Sequence, residues 1–173
     1  MKFTPVIRIA RSGDASRLAA LALQVWLHTY ATEGISPSIA SYVLQELTPA
    51  KFAALLQSPS AYVMVAEQGE NLFGFAVVQL DAPCPNAPDS KAELETLYVQ
   101  EHFMRRGLGT RLLIEAQALT KQRTGTRLWL AVNAKNRRAL AFYLRHGYTQ
   151  VGLSDFVLDG VAHENHVMVG AVL

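Results

Sequence analysis

The chain is short of several things, and each shortage narrows what it can be. Cys84 is the only cysteine among 173 residues, so no internal disulfide can staple the fold, and a reducing, cytoplasmic setting is the expectation. No apolar run approaches the length of a membrane span, and the opening MKFTPVIRIARSGD lacks the apolar segment of a signal peptide. Neither a membrane partner nor secretion is expected. Net charge is scarce too: sixteen Lys and Arg against fourteen Asp and Glu leave +2, too little to suggest a nucleic-acid surface. Charged residues make up 17% and hydrophobic ones 50%, which excludes a disordered chain. Repeats and low-complexity tracts are missing as well, so one domain over residues 1–173 is the simplest division.

What is present is an alternation of patterns. Val6 to Ala10 reads as a strand. Asp14 is placed as the N-cap of a helix through ASRLAALALQVWLHTY, whose apolar residues recur at helical spacing. Ser36 and Pro37 open a second helix, and Pro49 opens a third that runs to Leu56. Tyr62 to Glu67 and Leu72 to Leu80 are β-rich runs around a turn-like QGEN, which predicts an antiparallel hairpin. DAPCPNAPDS, with three prolines in ten residues, is a loop. Ala92 to Val99 is the next strand, followed by a helix from Gly107 to Arg123, a buried strand from Arg127 to Val132 and a helix from Asn136 to His146. Two strands, Thr149 to Leu158 and His163 to Val172, flank the hairpin signal LDGV. The last of them, containing HVMVGAVL, is either a sheet edge or an internal strand. These units give a mixed α/β sheet with helices on its faces.

FMRRGLGT, residues 103–110, stands where a strand gives way to a helix. Amides at a helix start lack intrahelical acceptors and carry the positive end of the macrodipole, and glycines let a ligand approach the backbone. Arg105, Arg106 and Arg111 add positive charge, so an anion is the natural ligand. A Walker A loop is excluded, because no lysine follows Gly109; a dinucleotide fingerprint lacks its third glycine, since position 112 is leucine. A tight structural turn remains the alternative for a lone G-x-G.

Downstream, NRRALAFYLRHGY (136–148) supplies a second motif. Together with LYVQEHFMRRGLGTRLL it resembles the GNAT superfamily of N-acetyltransferases, with Val99, Gly107, Gly109, Asn136, Ala139, Tyr143, Gly147 and Tyr148 in register. Met104 departs from the pattern, which usually has Gln or Arg there. Over its last eighty residues or so the chain looks most like PaiA-type polyamine acetyltransferases, with a poorer likeness in the amino-terminal region.

The resemblance implies a GNAT-like fold: a mixed, mostly antiparallel central sheet of about seven strands with helices on both faces. It implies acetyl-CoA as cosubstrate, no metal, and direct attack of an amine on the thioester. Carried over, the pyrophosphate lies on Arg105, Arg106, Gly107, Leu108, Gly109 and Thr110. The pantetheine arm pairs with Leu97, Tyr98 and Val99, and Asn136 contacts the cofactor. Tyr143 would protonate the departing thiolate. An alkylamine with a pKa near 10.4 is free base in roughly one molecule in two thousand at pH 7, so a carboxylate base is wanted. Glu93 and Glu95 are i, i+2 on one strand and share a face. Glu95 is the first choice of base, since it aligns with the base of some polyamine acetyltransferases, and Glu93 the second. HENH (163–166) is not H-E-x-x-H, and its strand setting argues against a metal site. A small-molecule or peptide amine is the expected acceptor. A polyamine heads the list, with a protein N-terminus, a lysine or an antibiotic amine, or a non-catalytic acetyl-CoA sensor, as alternatives. The resemblance allows a homodimer, as many relatives dimerise.

Overall fold

The computed structural model describes residues 3–171. Among them the elements run β1 (Val6–Ile9), α1 (Ala15–Tyr30), α2 (Pro37–Glu46), α3 (Pro49–Gln57), β2 (Ala61–Gln68), β3 (Asn71–Gln79) and β4 (Ala92–Val99). They continue with α4 (Leu108–Thr124), β5 (Leu128–Asn133), α5 (Arg137–Arg145), β6 (Thr149–Leu158) and β7 (Val161–Val169). The seven strands form one mostly antiparallel sheet in the order β1-β2-β3-β4-β5-β7-β6, with β4 and β5 parallel. This is the mixed α/β sheet that the residue patterns and the resemblance imply.

By its internal contacts the chain divides into two units. The first comprises Met1–Val77 and Thr96–Ala116. Its core sets Leu18, Leu21, Ala22 and Val25, one stripe of α1, together with Val63 and Val65 of β2, Phe52 of α3, and Phe75 and Val77 of β3. Ser36 Oγ accepts from the Ile39 N–H at 3.3 Å and Thr48 Oγ1 from the Lys51 N–H at 3.2 Å; a proline follows each cap. Asp14 precedes α1 as expected but does not cap it with its side chain. A 3-10 turn, Ser12–Asp14, runs straight into the helix, so Asp14 has helical backbone and its carboxylate turns elsewhere. That carboxylate accepts from the Arg11 N–H at 2.7 Å and pairs with Arg8 at 2.8 Å and with Arg17. Arg8 also reaches Glu67 on β2 at 2.6 Å. Bonding to the Arg8 guanidinium holds the Asp14 carboxyl well below the usual range and lowers that of Glu67, although burial opposes it in each.

The second unit comprises Val78–Glu95 and Gln117–Leu173. β7 pairs antiparallel with β5 on one side and β6 on the other, so HVMVGAVL is internal over its described strand residues. Its expected end at Val172 lies outside the described residues. Asp159 and Gly160 join β6 to β7, both at positive φ, as a type I′ turn requires. The proline-rich stretch is irregular but stitched down: the Ala82 N–H donates to Lys91 O at 3.0 Å and the Cys84 N–H to Ser90 O at 2.8 Å. Cys84 and Ala87 pack with Trp129, Val167 and Val169, and the Trp129 indole N–H donates to Ala82 O at 2.6 Å. The single cysteine is therefore a core residue of this unit.

Candidate active site

The first unit carries the glycine loop. β4 ends with Leu97 and Tyr98 half-buried and Val99 buried. Gly74 of β3 lies so close to it that a Cβ there would sit 2.7 Å from the Tyr98 carbonyl oxygen. Only glycine tolerates that approach. The Gln100 N–H donates to Phe73 O at 2.9 Å, and the Gln100 carboxamide donates to Gln24 of α1 at 2.8 Å, fixing the point where the strand leaves the sheet. A 3-10 turn, Glu101–Phe103, is closed by the Met104 N–H on Glu101 O at 3.1 Å. Arg105 then takes a left-handed backbone with φ of 59°, and Gly107 follows at 78°.

The first bond of α4 runs from the Arg111 N–H to Gly107 O at 3.0 Å. The amides of Gly107, Leu108 and Gly109 thus have no carbonyl one turn back. A Cβ on Gly107 would meet nothing within 4 Å, so the loop is open on that side. Leu108 is buried. The arginines divide. The Arg106 guanidinium lies 5.0 Å from the Phe3 ring centroid and 5.3 Å from that of Phe103, within an aromatic trio completed by Phe73. Arg111 donates to Pro5 O at 3.0 Å, which commits it to the backbone. Arg105 is exposed.

The second unit carries Glu93, Glu95, Asn136 and Tyr143. On β4, Ala92 and Leu94 point into the core and Glu93 and Glu95 to the opposite face. The β4–β5 ladder is two residues long, Ala92 with Leu128 and Glu93 with Trp129. Glu95 is exposed and accepts from Gln79 Nε2 at 3.0 Å. Glu93 is half-buried; burial first, and the charge of Glu95 second, push its carboxyl up to about 7. Asn136 caps α5, its Oδ1 accepting from the Ala139 N–H at 3.1 Å. Tyr143 is buried on α5, with ring centroids 5.2 Å from Phe142 and 5.5 Å from Tyr148. Tyr148 differs in kind: it is 1% exposed, accepts from Gln117 at 3.4 Å, and burial pushes its phenol up to about 12.

Chain order joins the two sets, since β4 carries Glu93 and Glu95 and continues into Leu97, Tyr98 and Val99. Sequence reasoning missed Gln79, whose only signal was its place at the end of a strand expected to be paired. It also missed the close approach at Gly74 and the aromatic seat of Arg106. HENH alternates along β7, and no group of three or more potential metal ligands occurs among the described residues. No described helix is long and apolar enough to cross a membrane.

Residues 20–148 match the acetyltransferase (GNAT) family. An uncharacterised N-acetyltransferase of Mycobacterium tuberculosis is 31% identical over 157 residues, covering 90% of this chain and 96% of that protein. The N-alpha-acetyltransferase RimI of the same organism is 32% identical over 105 residues, 61% of this chain and 63% of RimI. The spermidine N(1)-acetyltransferase of Thermoplasma acidophilum is 25% identical over 152 residues, 84% of this chain and 90% of that one. Among solved structures, the PaiA N-acetyltransferase of T. acidophilum in complex with coenzyme A superposes with a TM-score of 0.77 at 24% identity, over 97% of this chain and 99% of the other.

Proposed function

The chain belongs to the GNAT family of acetyltransferases, and from that premise we propose that it moves the acetyl group of acetyl-CoA to a primary amine of a small polycation. The observation that carries this reading is the Glu93–Glu95 pair: two carboxylates on one strand face, one half-buried with its carboxyl raised to about 7. An ammonium-bearing acceptor meets negative charge there, and its proton meets a base of suitable strength. The similarity to a spermidine acetyltransferase points the same way.

The residues present fit the cosubstrate. The Gly107 and Gly109 amides, which have no carbonyl one turn back, an open side at Gly107 and an exposed Arg105 suit a diphosphate. When bound, acetyl-CoA supplies an activated thioester carbonyl. Arg105 through Thr110 hold its pyrophosphate, Arg106 contributing chiefly by bracing the loop on its aromatic neighbours. Leu97, Tyr98 and Val99 offer backbone to the pantetheine arm, and Asn136 contacts the cofactor while capping α5. The work is done as one N-acetyltransferase domain.

Of the two glutamates, Glu93 has the properties that deprotonation requires. Moving a proton from an amine of pKa 10.4 to a carboxylate of 4.5 is uphill by about 8 kcal/mol, and to one near 7 by about 5 kcal/mol. Glu95 then serves as the charge that raises Glu93 and attracts the ammonium. This reverses the preference that alignment alone suggested. Tyr143 donates to the leaving sulfur.

A thiol-release assay with spermidine, spermine, an aminoglycoside and N-terminal peptides tests the acceptor. We expect polyamine kcat/KM to exceed the others by about tenfold or more, a difference of about 1.4 kcal/mol in transition-state binding. The similarity to RimI favours a peptide amine as the second reading. Turnover of peptides without turnover of polyamines would establish it and overturn the first.

A further inference from the structure

Gln79 closes β3. Its Nε2 donates to Glu95 Oε2 at 3.0 Å. Glu95 is exposed and would otherwise sample several rotamers in water, carrying its charge with it. The bond from a neighbouring strand restrains that charge. Glu93 stands two residues away on the same face, about 7 Å along the strand, and is half-buried opposite Trp129.

The charges around Glu93 are few. β3 and β5 carry no titratable side chain over Asn71–Gln79 and Leu128–Asn133. The proline-rich loop carries the ionisable side chains of Asp81, Cys84, Asp89 and Lys91; Cys84 is buried, and Asp89 pairs with Arg127 at 3.1 Å. Glu95 is the charge that shares its strand face. A neutral carboxamide holds Glu95 without cancelling it, whereas a lysine or arginine at position 79 would fix the carboxylate and neutralise its field.

We propose that Gln79 is a positioning residue for proton transfer: by holding the Glu95 carboxylate it fixes negative charge on the strand face that Glu93 shares. The inference rests on the reading of Glu93 as the proton acceptor.

Two measurements test it. The first is a carbon-13 NMR titration of the Glu93 carboxyl, assigned with Glu93→Gln, in the wild type and in Gln79→Met, Gln79→Lys and Gln79→Glu. We expect the Glu93 midpoint to fall by about half a unit in Gln79→Met, to fall by about one unit in Gln79→Lys, and to rise in Gln79→Glu. The second is the pH profile of kcat/KM, whose acid limb should move with the midpoint while the high-pH plateau changes less than about twofold. Midpoints unmoved in all three variants would overturn the proposal. So would a kcat/KM that drops equally at every pH, since that is what a merely structural glutamine gives. If no amine turned over but the midpoints shifted as expected, the proton-acceptor reading would fall and the coupling of Gln79 to Glu93 would stand.

Discussion

Tyr143 lies against Phe142 and Tyr148 with 8% of its surface exposed, so truncating its hydroxyl leaves the packing in place. Tyr143→Phe should lower kcat by about one to two orders of magnitude and change acetyl-CoA affinity by less than about twofold, as single-turnover rates and titration calorimetry would show. Unchanged turnover would remove it as the acid. Glu93 gives the pH prediction. A base must be unprotonated, so with its carboxyl raised to about 7, kcat/KM should climb as pH rises through neutrality and level off above about 8. In Glu95→Gln the burial contribution remains and the neighbouring charge is lost, so the same limb should move to lower pH. At this scale the sequence was informative wherever a motif fixed spacing: Gly107, Asn136 and Tyr143 could be named from the chain alone. The different surroundings of Glu93 and Glu95 could not, because strand alternation puts both on one face and only the fold makes one half-buried and bonds the other to Gln79.

Two joints between elements carry predictions of their own. Gly74 lets β3 approach the end of β4, and Gly74→Ala would drive a methyl onto the Tyr98 carbonyl. The variant should lose about 1–3 kcal/mol of stability in urea titration and raise the KM for acetyl-CoA, since the displaced backbone feeds the glycine loop. The second joint is the Arg8–Asp14–Arg17–Glu67 network, which ties β1, α1 and β2. Asp14→Asn removes one partner of a nearly buried pair and should cost about 3 kcal/mol. Both carboxylates are depressed in the folded state. Their contribution is therefore complete above the ordinary carboxylate pKa near 4 and is lost as pH falls below it, so thermal scans from pH 6 to pH 2 should slope less in the variant. Strand and helix periods, prolines and Asp-Gly made nearly every element readable. The Asp14 network was not: Arg8 and Arg17 stand near Asp14 in the chain without any pattern that marks them as its partners, and Glu67 reaches Arg8 only when β1 and β2 pack; locally Asp14 reads as a helix cap.

For the whole molecule the expectation is linkage. If the loop seats acetyl-CoA, ligand at about one hundred times its Kd should add about 2.7 kcal/mol of stability, a rise in Tm of about 5–10 °C by scanning fluorimetry. Coenzyme A should give a comparable rise, since the pyrophosphate is common to both. No rise with either would unseat the loop. The sheet order was not legible, because periodicity identifies strands without saying which lie side by side. That the C-terminal strand is internal, with β6 outside it, follows from pairing that no single segment announces.

Arg105 holds a left-handed backbone that an L-residue with a Cβ adopts at a cost of about 1 kcal/mol or more. A laboratory selection for heat tolerance alone should therefore replace it, with Gly or Asn as the favoured outcomes, and the survivors should bind acetyl-CoA more weakly. A selection that also demands growth on acetylated product should keep the arginine. The allele spectrum at this one codon would then report whether the loop is under selection for its ligand or only for its shape.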